Sequence, residues 1–199
     1  MISPKNYISW SQIYLWRKNP QAYIDQYVYG KEPYTNEYMD FGGQVASALE
    51  NGGCDDPSIE LLIQTFPAYP KREKEYKASI KFGNETIELL AKFDGINTKD
   101  RVLGEYKTGT MYTQKKANDS EQLRIYHLIY YLKHKKLLNH VYLHWAETEM
   151  VDGQIKLTGN VKTFEVKHSL LDLIKEQMEI KKIYKQISSA YKQEIKKLK

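Results

Sequence analysis

The sequence is poor in cysteine and has no long apolar run, and both shortages narrow what the chain can be. Cys54 is the single cysteine in 199 residues. An intrachain disulfide framework, a cysteine-based zinc site and a four-cysteine iron–sulfur cluster are therefore excluded, and a reducing, intracellular setting is expected. No stretch of about 18 apolar residues is present, and the start Met1-Ile2-Ser3-Pro4-Lys5-Asn6 lacks the apolar core of a signal peptide. A cytoplasmic protein with no membrane partner is expected. Proline and glycine are sparse, at 6 and 11 residues, while hydrophobic residues make up 41% and charged residues 28%; neither a disordered nor a low-complexity chain has this make-up. At 199 residues the chain suits one domain with a substantial core and is short for two.

The net charge is +5, from 30 basic and 25 acidic residues. It is unevenly placed: Lys167 to Lys199 hold nine lysines and four acids, which accounts for the whole excess. A lysine-rich end segment attracts a polyanion such as nucleic acid, because lysine–phosphate contacts release condensed counterions. The same composition also describes the solvated face of an ordinary helix.

Residues Ser9 to Gly30 read as helical, with a break or second start at Asn19-Pro20. A helix over Met39 to Glu50, rich in small residues, ends at Asn51-Gly52-Gly53, and a short helix follows near Ser58 to Phe66. From Lys71 the pattern alternates. Glu73–Phe82 and Glu85–Ile96 read as a hairpin about Gly83-Asn84, and Arg101–Lys107 reads as a third strand. Asp119–Lys135 returns to a helical period, Val141–Thr148 and Val161–Val166 read as strands, and Ser169–Lys199 reads as one long amphipathic helix. The apolar stripe of that helix includes Leu170, Leu173, Ile174, Ile180, Ile183, Ile187 and Leu198. The order of elements predicts a single α/β (α+β) domain over 1–199: a helical part at 1–70, a sheet core at 71–166 and a basic terminal helix at 167–199.

Alternation sorts the side chains of the central strands. Lys92 and Asp94 share one face of their strand, and Glu105 and Lys107 share one face of the next. If the two strands pair, Asp94, Glu105 and Lys107 converge on one sheet surface. Two hard carboxylates and a lysine suit metal-dependent phosphodiester hydrolysis, in which Mg²⁺ or Mn²⁺ polarises the phosphate and acidifies a water while the lysine orients that water or offsets charge. Glu-x-Lys alone is weak, since it occurs five times here and is commonly a solvated pair. Only Glu105 follows an apolar strand ending in Asp94-Gly95 and leads through Thr108-Gly109 to a helix beginning near Gln122. Asp119-x-x-Gln122 can also be read as a capping pair, and Tyr126 as core.

The ordered set Asp94-Gly95-Ile96, Gly104-Glu105-Tyr106-Lys107-Thr108-Gly109 and Gln122-x-x-x-Tyr126 resembles the RecB-type, Cas4-like branch of the PD-(D/E)XK nuclease superfamily. Upstream, Ile8–Gln12 through Asn19-Pro20 is similar to that branch's opening helix, and Gly42 through Glu50 to its glycine-led helix. The resemblance implies a restriction-endonuclease-like core, a mixed β-sheet flanked by helices. It further implies Asp94, Glu105 and the Tyr106 carbonyl as metal ligands, Lys107 as the catalytic lysine, and Gln122 and Tyr126 facing the site. The family histidine falls at Ala46, so its place as a ligand is lost or filled by water or Glu50. The cysteine of the family's Cys-Pro falls at Asn19, and no iron–sulfur cluster is implied. No G-x-x-x-x-G-K-[ST] loop is present, so no helicase motor lies in this chain.

The expectation is a stand-alone Mg²⁺- or Mn²⁺-dependent DNA nuclease, acting on DNA in recombination, repair or phage DNA processing, with a recombination or repair protein as a further partner. The rival is a nuclease-fold protein with a weakened metal site that binds nucleic acid or regulates. Most of the 17 tyrosines and 3 tryptophans fit core spacing and none is assigned to base stacking, although Tyr106 and Tyr112 fall close to the site. The five histidines show no metal-like spacing with carboxylates.

Overall fold

The computed structural model describes residues 3–197. Its elements run β1 (Ile8–Ser9), α1 (Trp10–Lys18), α2 (Pro20–Tyr27), α3 (Glu37–Asn51), α4 (Pro57–Thr65), β2 (Lys71–Phe82), β3 (Glu85–Asn97), β4 (Val102–Gly109), α5 (Gln114–Asn118), α6 (Glu121–His134), β5 (His140–Val151), β6 (Gln154–Val166) and α7 (Leu170–Lys197). The architecture is α/β: a six-stranded mixed sheet flanked by helices, with a long C-terminal helix. None of the described helices is long and apolar enough to cross a membrane.

Local chemistry sets the boundaries. Asn19 ends α1 and caps α2, its side chain accepting from the Ala22 N–H, with Pro20 at the first helical position, where a missing N–H costs nothing. Asn36 caps α3, which starts two residues earlier than its apolar pattern indicates, and Gly52 closes it in the left-handed conformation at φ 76°. Asp56 caps α4 ahead of Pro57. At α6 the cap is Ser120, whose hydroxyl accepts from the Leu123 N–H, so Asp119 does not cap and Gln122 is not tied up in a capping pair.

The sheet is built about β3. On one edge β3 pairs antiparallel with β2 along its length. On the other edge it pairs with β1 at Leu89–Leu90 and with β4 at Gly95–Asn97, and residues 91–94 lie between these two ladders. β4 continues the sheet by parallel pairing with β5, and β6 returns antiparallel. Helices cover both faces. The larger core packs Phe93, Ile96, Leu103, Leu143 and Trp145 with α1, α6 and α7, and the smaller one packs Val45, Leu49, Ile59, Leu62, Phe66 and Ala146 beneath α3 and α4.

Three differences from the sequence reading have simple causes. The β5–β6 ribbon reaches past Thr148 through a turn at Asp152-Gly153, whose φ values of 51° and 77° both suit a tight hairpin. Its far half is largely solvent-exposed and polar, so apolar alternation does not reveal it. The five-residue α5 is too short to show a period. In α7 the buried stripe holds Leu173, Ile180, Ile183 and Ile187, whereas Leu170 and Ile174 are 41% and 47% exposed because, at about 3.6 residues per turn, they fall to one side of that stripe. Leu198 lies outside the described residues.

Candidate active site

The site forms where β3 and β4 separate. Their ladder has only three rungs, Asn97↔Val102, Ile96↔Leu103 and Gly95↔Gly104. Two residues past Gly104, the backbone N–H of Tyr106 donates to Asp94 Oδ2 over 2.9 Å, so an aspartate side chain takes a donor that continued pairing with β3 would have used. A residue's carbonyl leaves an extended strand on the same side as its N–H, which directs the Tyr106 carbonyl toward the same fork. Phe93 and Ile96 both enter the larger core although strict alternation places them on opposite faces, so the chain turns over across Asp94-Gly95. Asp94 and Glu105 thus meet in the gap between diverging strands. They do not sit side by side on a continuous sheet surface, as even pairing would require.

Two glycines hold the fork in shape. A Cβ on Gly104 would sit 2.3 Å from the ring of Tyr69, and one on Gly95 would sit 2.4 Å from the same ring. Tyr69 lies flat over this glycine pair and its hydroxyl meets His144 Nε2 at 2.8 Å. Beside it Phe66 stacks on Tyr106 at 5.0 Å, and the Tyr106 hydroxyl donates to the Pro67 carbonyl. Sequence reasoning did not find Tyr69, Phe66 or His144. The signal was the pair of glycines in adjacent strands, which implies a flat occupant above them.

Glu105 is the centre of the polar cluster and is only 2% exposed. Its Oε1 lies 2.7 Å from Lys107 Nζ and accepts from Gln122 Nε2 over 2.6 Å. Gln122 also donates to the Tyr126 hydroxyl over 3.0 Å, which joins the helical residues one turn apart to the strand acid. Tyr126 is at the same time a core residue, its ring packed at a tilt against Phe93 with centroids 5.1 Å apart. Burial, reinforced by the Glu105 charge, raises the Asp94 pKa to about 8, against the opposing pull of Lys107 and the Tyr106 N–H. Burial works to lower the Lys107 pKa, but the Glu105 and Asp94 carboxylates outweigh it and hold the ammonium above the ordinary lysine value.

This donor set fits a hard divalent cation. Two carboxylates lie close enough for Glu105 to raise the Asp94 pKa, Lys107 rests on Glu105, and Glu105 Oε2 is buried with no hydrogen-bond partner among the described residues. Leaving such an oxygen unpaired is costly, and a cation is the partner that relieves two neighbouring carboxylates at once. Among the described residues no group of three His, Cys, Asp or Glu side chains forms a metal cluster, so further ligands would be backbone carbonyl or water.

The cluster opens into a cavity of about 550 Å³ between α3 and α6. Gly42, Ala46 and Glu50, spaced four apart on α3, line one wall and Gln122 and Tyr126 the other, with Asp94, Glu105, Tyr106 and Lys107 at the base. All the residues singled out from sequence therefore border one cavity. Glu50 stands at its rim, 4.0 Å from Lys92, and is exposed. Ala46 lines the cavity with a methyl group, which cannot ligate a cation.

No protein-family model matches this sequence, and no curated protein is significantly similar to it. Solved structures share the fold. One, from Eubacterium rectale and described as a "putative exonuclease", superposes with a TM-score of 0.64 over 95% of this chain and 82% of its own, at 10% sequence identity. Another, SSO0001, superposes with a TM-score of 0.50 over 90% of this chain and 79% of its own, at 14% identity. The chain has the fold of the Eubacterium rectale protein.

Proposed function

We propose that this chain is a divalent-metal-dependent DNA nuclease of the PD-(D/E)XK superfamily, RecB-type branch, hydrolysing phosphodiester bonds at the β3–β4 fork. The observation that carries the reading is the meeting of Asp94 and Glu105 at the end of a three-rung ladder, with Lys107 on Glu105. The likeness of fold to a protein described as an exonuclease supports it, and exonucleolytic action in recombination, repair or phage DNA processing belongs to the same proposal. Mg²⁺ or Mn²⁺ would be held by Asp94, Glu105 and the Tyr106 carbonyl, where it supplies charge neutralisation for the phosphate and acidity to a water. Lys107, anchored on Glu105 yet 37% exposed to the cavity, places an ammonium where it orients the attacking water and offsets phosphate charge. Gln122 fixes the Glu105 carboxylate and Tyr126 fixes Gln122, so the acid is pre-organised before substrate arrives. The small residues of α3 at Gly42, Gly43 and Ala46 leave the cavity open to a DNA backbone.

A second reading, a nuclease-fold protein that binds nucleic acid without cutting it, is favoured by Ala46 and by the absence of a third ligating side chain among the described residues. Incubating the purified chain with linear and circular, single- and double-stranded DNA in Mg²⁺ and Mn²⁺ separates the two. Metal-dependent cleavage abolished by Lys107→Ala is the expected result. Cleavage that survives Lys107→Ala unchanged overturns the assignment, and retained DNA binding with no cleavage by the native chain moves it to the second reading.

A further inference from the structure

The far end of α6 carries a different charge cluster. Where the β3–β4 turn meets the C-terminal end of α6, Thr98, Lys99, Arg101, Tyr130, His134 and Lys136 line a cavity of about 520 Å³ with no carboxylate in its wall. Lys133 and Lys135 flank it. Among the described residues, none of Lys99, Arg101, Lys133, Lys135 and Lys136 forms an ion pair. The acid of the turn, Asp100, is held by the Asn97 side-chain amide at 2.7 Å.

The cations are held together by the fold. Asn97 Oδ1 accepts from the Lys99 and Asp100 N–H groups at 3.1 Å each, which shapes the turn. The Arg101 carbonyl accepts from the Asn139 N–H over 2.8 Å and the Asp100 carbonyl from the Asn139 side chain over 2.8 Å, which ties the turn to the segment following α6. Arg101 and Lys135 both adopt left-handed backbone, at φ 59° and 55°. His134 packs on Tyr130 at 4.4 Å, and Lys133 Nζ lies 4.6 Å over the Tyr76 ring. The helix dipole accounts for cations on the last turn of α6, but not for Lys99 and Arg101, which arrive from another element. Gathering like charges at one place is unfavourable unless an anion offsets them.

We propose that this cavity is a second, non-catalytic site for the phosphodiester backbone of the nucleic acid that the fork cleaves; it rests on the nuclease reading for the identity of that strand. Gln122 at the fork and His134 at the basic cavity are twelve helical residues apart, about 18 Å at 1.5 Å per residue. At 3.4 Å per nucleotide along a duplex strand, that span is about five nucleotides. A strand shorter than this reaches one site only; a longer one engages both. Cations at this site would add affinity and salt dependence without touching the chemistry.

The test uses the full chain carrying Glu105→Gln, so that DNA is not consumed, and fluorescein-labelled single- and double-stranded oligodeoxynucleotides of 4, 8 and 16 nucleotides read by anisotropy across a salt series. Adding Lys99→Ser, Arg101→Ser and Lys136→Ser is expected to weaken binding of the 16-mers about tenfold or more at low salt. It should lower the slope of log affinity against log salt by about 2, and leave the 4-mers unchanged. Lys99→Arg with Lys136→Arg should restore the 16-mer affinity, which a role in folding alone would not explain. An unchanged 16-mer affinity and salt slope overturns the proposal, as does an equal loss for every length. Displacement of the 16-mer by millimolar inorganic phosphate alone also overturns it, in favour of a small-anion site. If the triple variant is unfolded by circular dichroism, exposed Lys136→Glu is read by the same criteria. Failure of the nuclease reading is seen separately, as absence of cleavage by the native chain whatever the binding data show.

Discussion

At its N-terminal end α6 meets two crowded carboxylates, and at its C-terminal end it meets five cations without a carboxylate partner among the described residues. The two ends pose opposite electrostatic problems. The fork is short of positive charge: among the described residues Lys107 is the cation that acts on both Asp94 and Glu105, and burial and the Glu105 charge raise the Asp94 pKa to about 8. The basic cavity is starved of negative charge. The one ligand class proposed here, a nucleic-acid backbone accompanied by a divalent cation, would relieve both, the cation at the first end and phosphates at the second.

This comparison also separates what sequence can reveal from what it hides. The acids were legible because they lie in strands adjacent in sequence, so Asp94, Glu105 and Lys107 form a spaced pattern and Gln122 and Tyr126 follow one helical turn apart. The cations were not legible. Lys99 and Arg101 are more than thirty residues from Lys133–Lys136, and when charge is summed along the chain the nearby acids cancel them. That sum points to the terminal helix instead, where Lys182 and Lys197 pair with Glu179 and Glu194 of the same helix. The order of the elements was legible from periodicity and turns. The three-rung ladder was not, because it ends where the Asp94 side chain takes the Tyr106 N–H, beside a pair of glycines covered by the loop residue Tyr69, and neither contact follows from alternation.

The largest expected effect lies at the fork. Glu105→Gln removes the charge that positions Lys107 and keeps the shape, and it should lower metal-dependent cleavage by about 10²- to 10⁴-fold in initial-rate assays. A rate within a few-fold of the native chain would separate the acid cluster from the chemistry. Next comes the scaffold that the basic end does not share. Gly104→Ala drives a Cβ against the Tyr69 ring, and should cost about 1–3 kcal/mol, or roughly 2–10 °C in thermal midpoint. Combining it with Tyr69→Ala should recover part of that loss; if the two losses simply add, the ring does not shape the fork.

A smaller effect is expected in the terminal helix. Lys192→Gln with Lys196→Gln, tested in the same oligonucleotide titrations, should change affinity by less than about threefold, because the charge of this helix is spread along a solvated face. A loss exceeding that of the Lys99, Arg101 and Lys136 substitutions would move the phosphate-binding role from the end of α6 to the end of the chain.

The fork itself is tested most directly by titrating the metal-free protein with Mn²⁺ in a calorimeter, in buffers of different ionisation enthalpy, from pH 6 to pH 9. Because the Asp94 pKa is raised from 3.8 to about 8 in the folded protein, the folded chain holds one proton more than the unfolded chain between roughly pH 4 and pH 8. Stability contributed by this group therefore falls as pH rises through that window, and a cation that binds the ionised carboxylate must displace the proton. The predicted result is binding that releases close to one proton at pH 6 to 7, tightens with pH until about 8, and loses both the proton release and most of the affinity in Asp94→Asn. Binding that is independent of pH and unchanged in Asp94→Asn, or no binding at all, would contradict the account of the fork as a cation site.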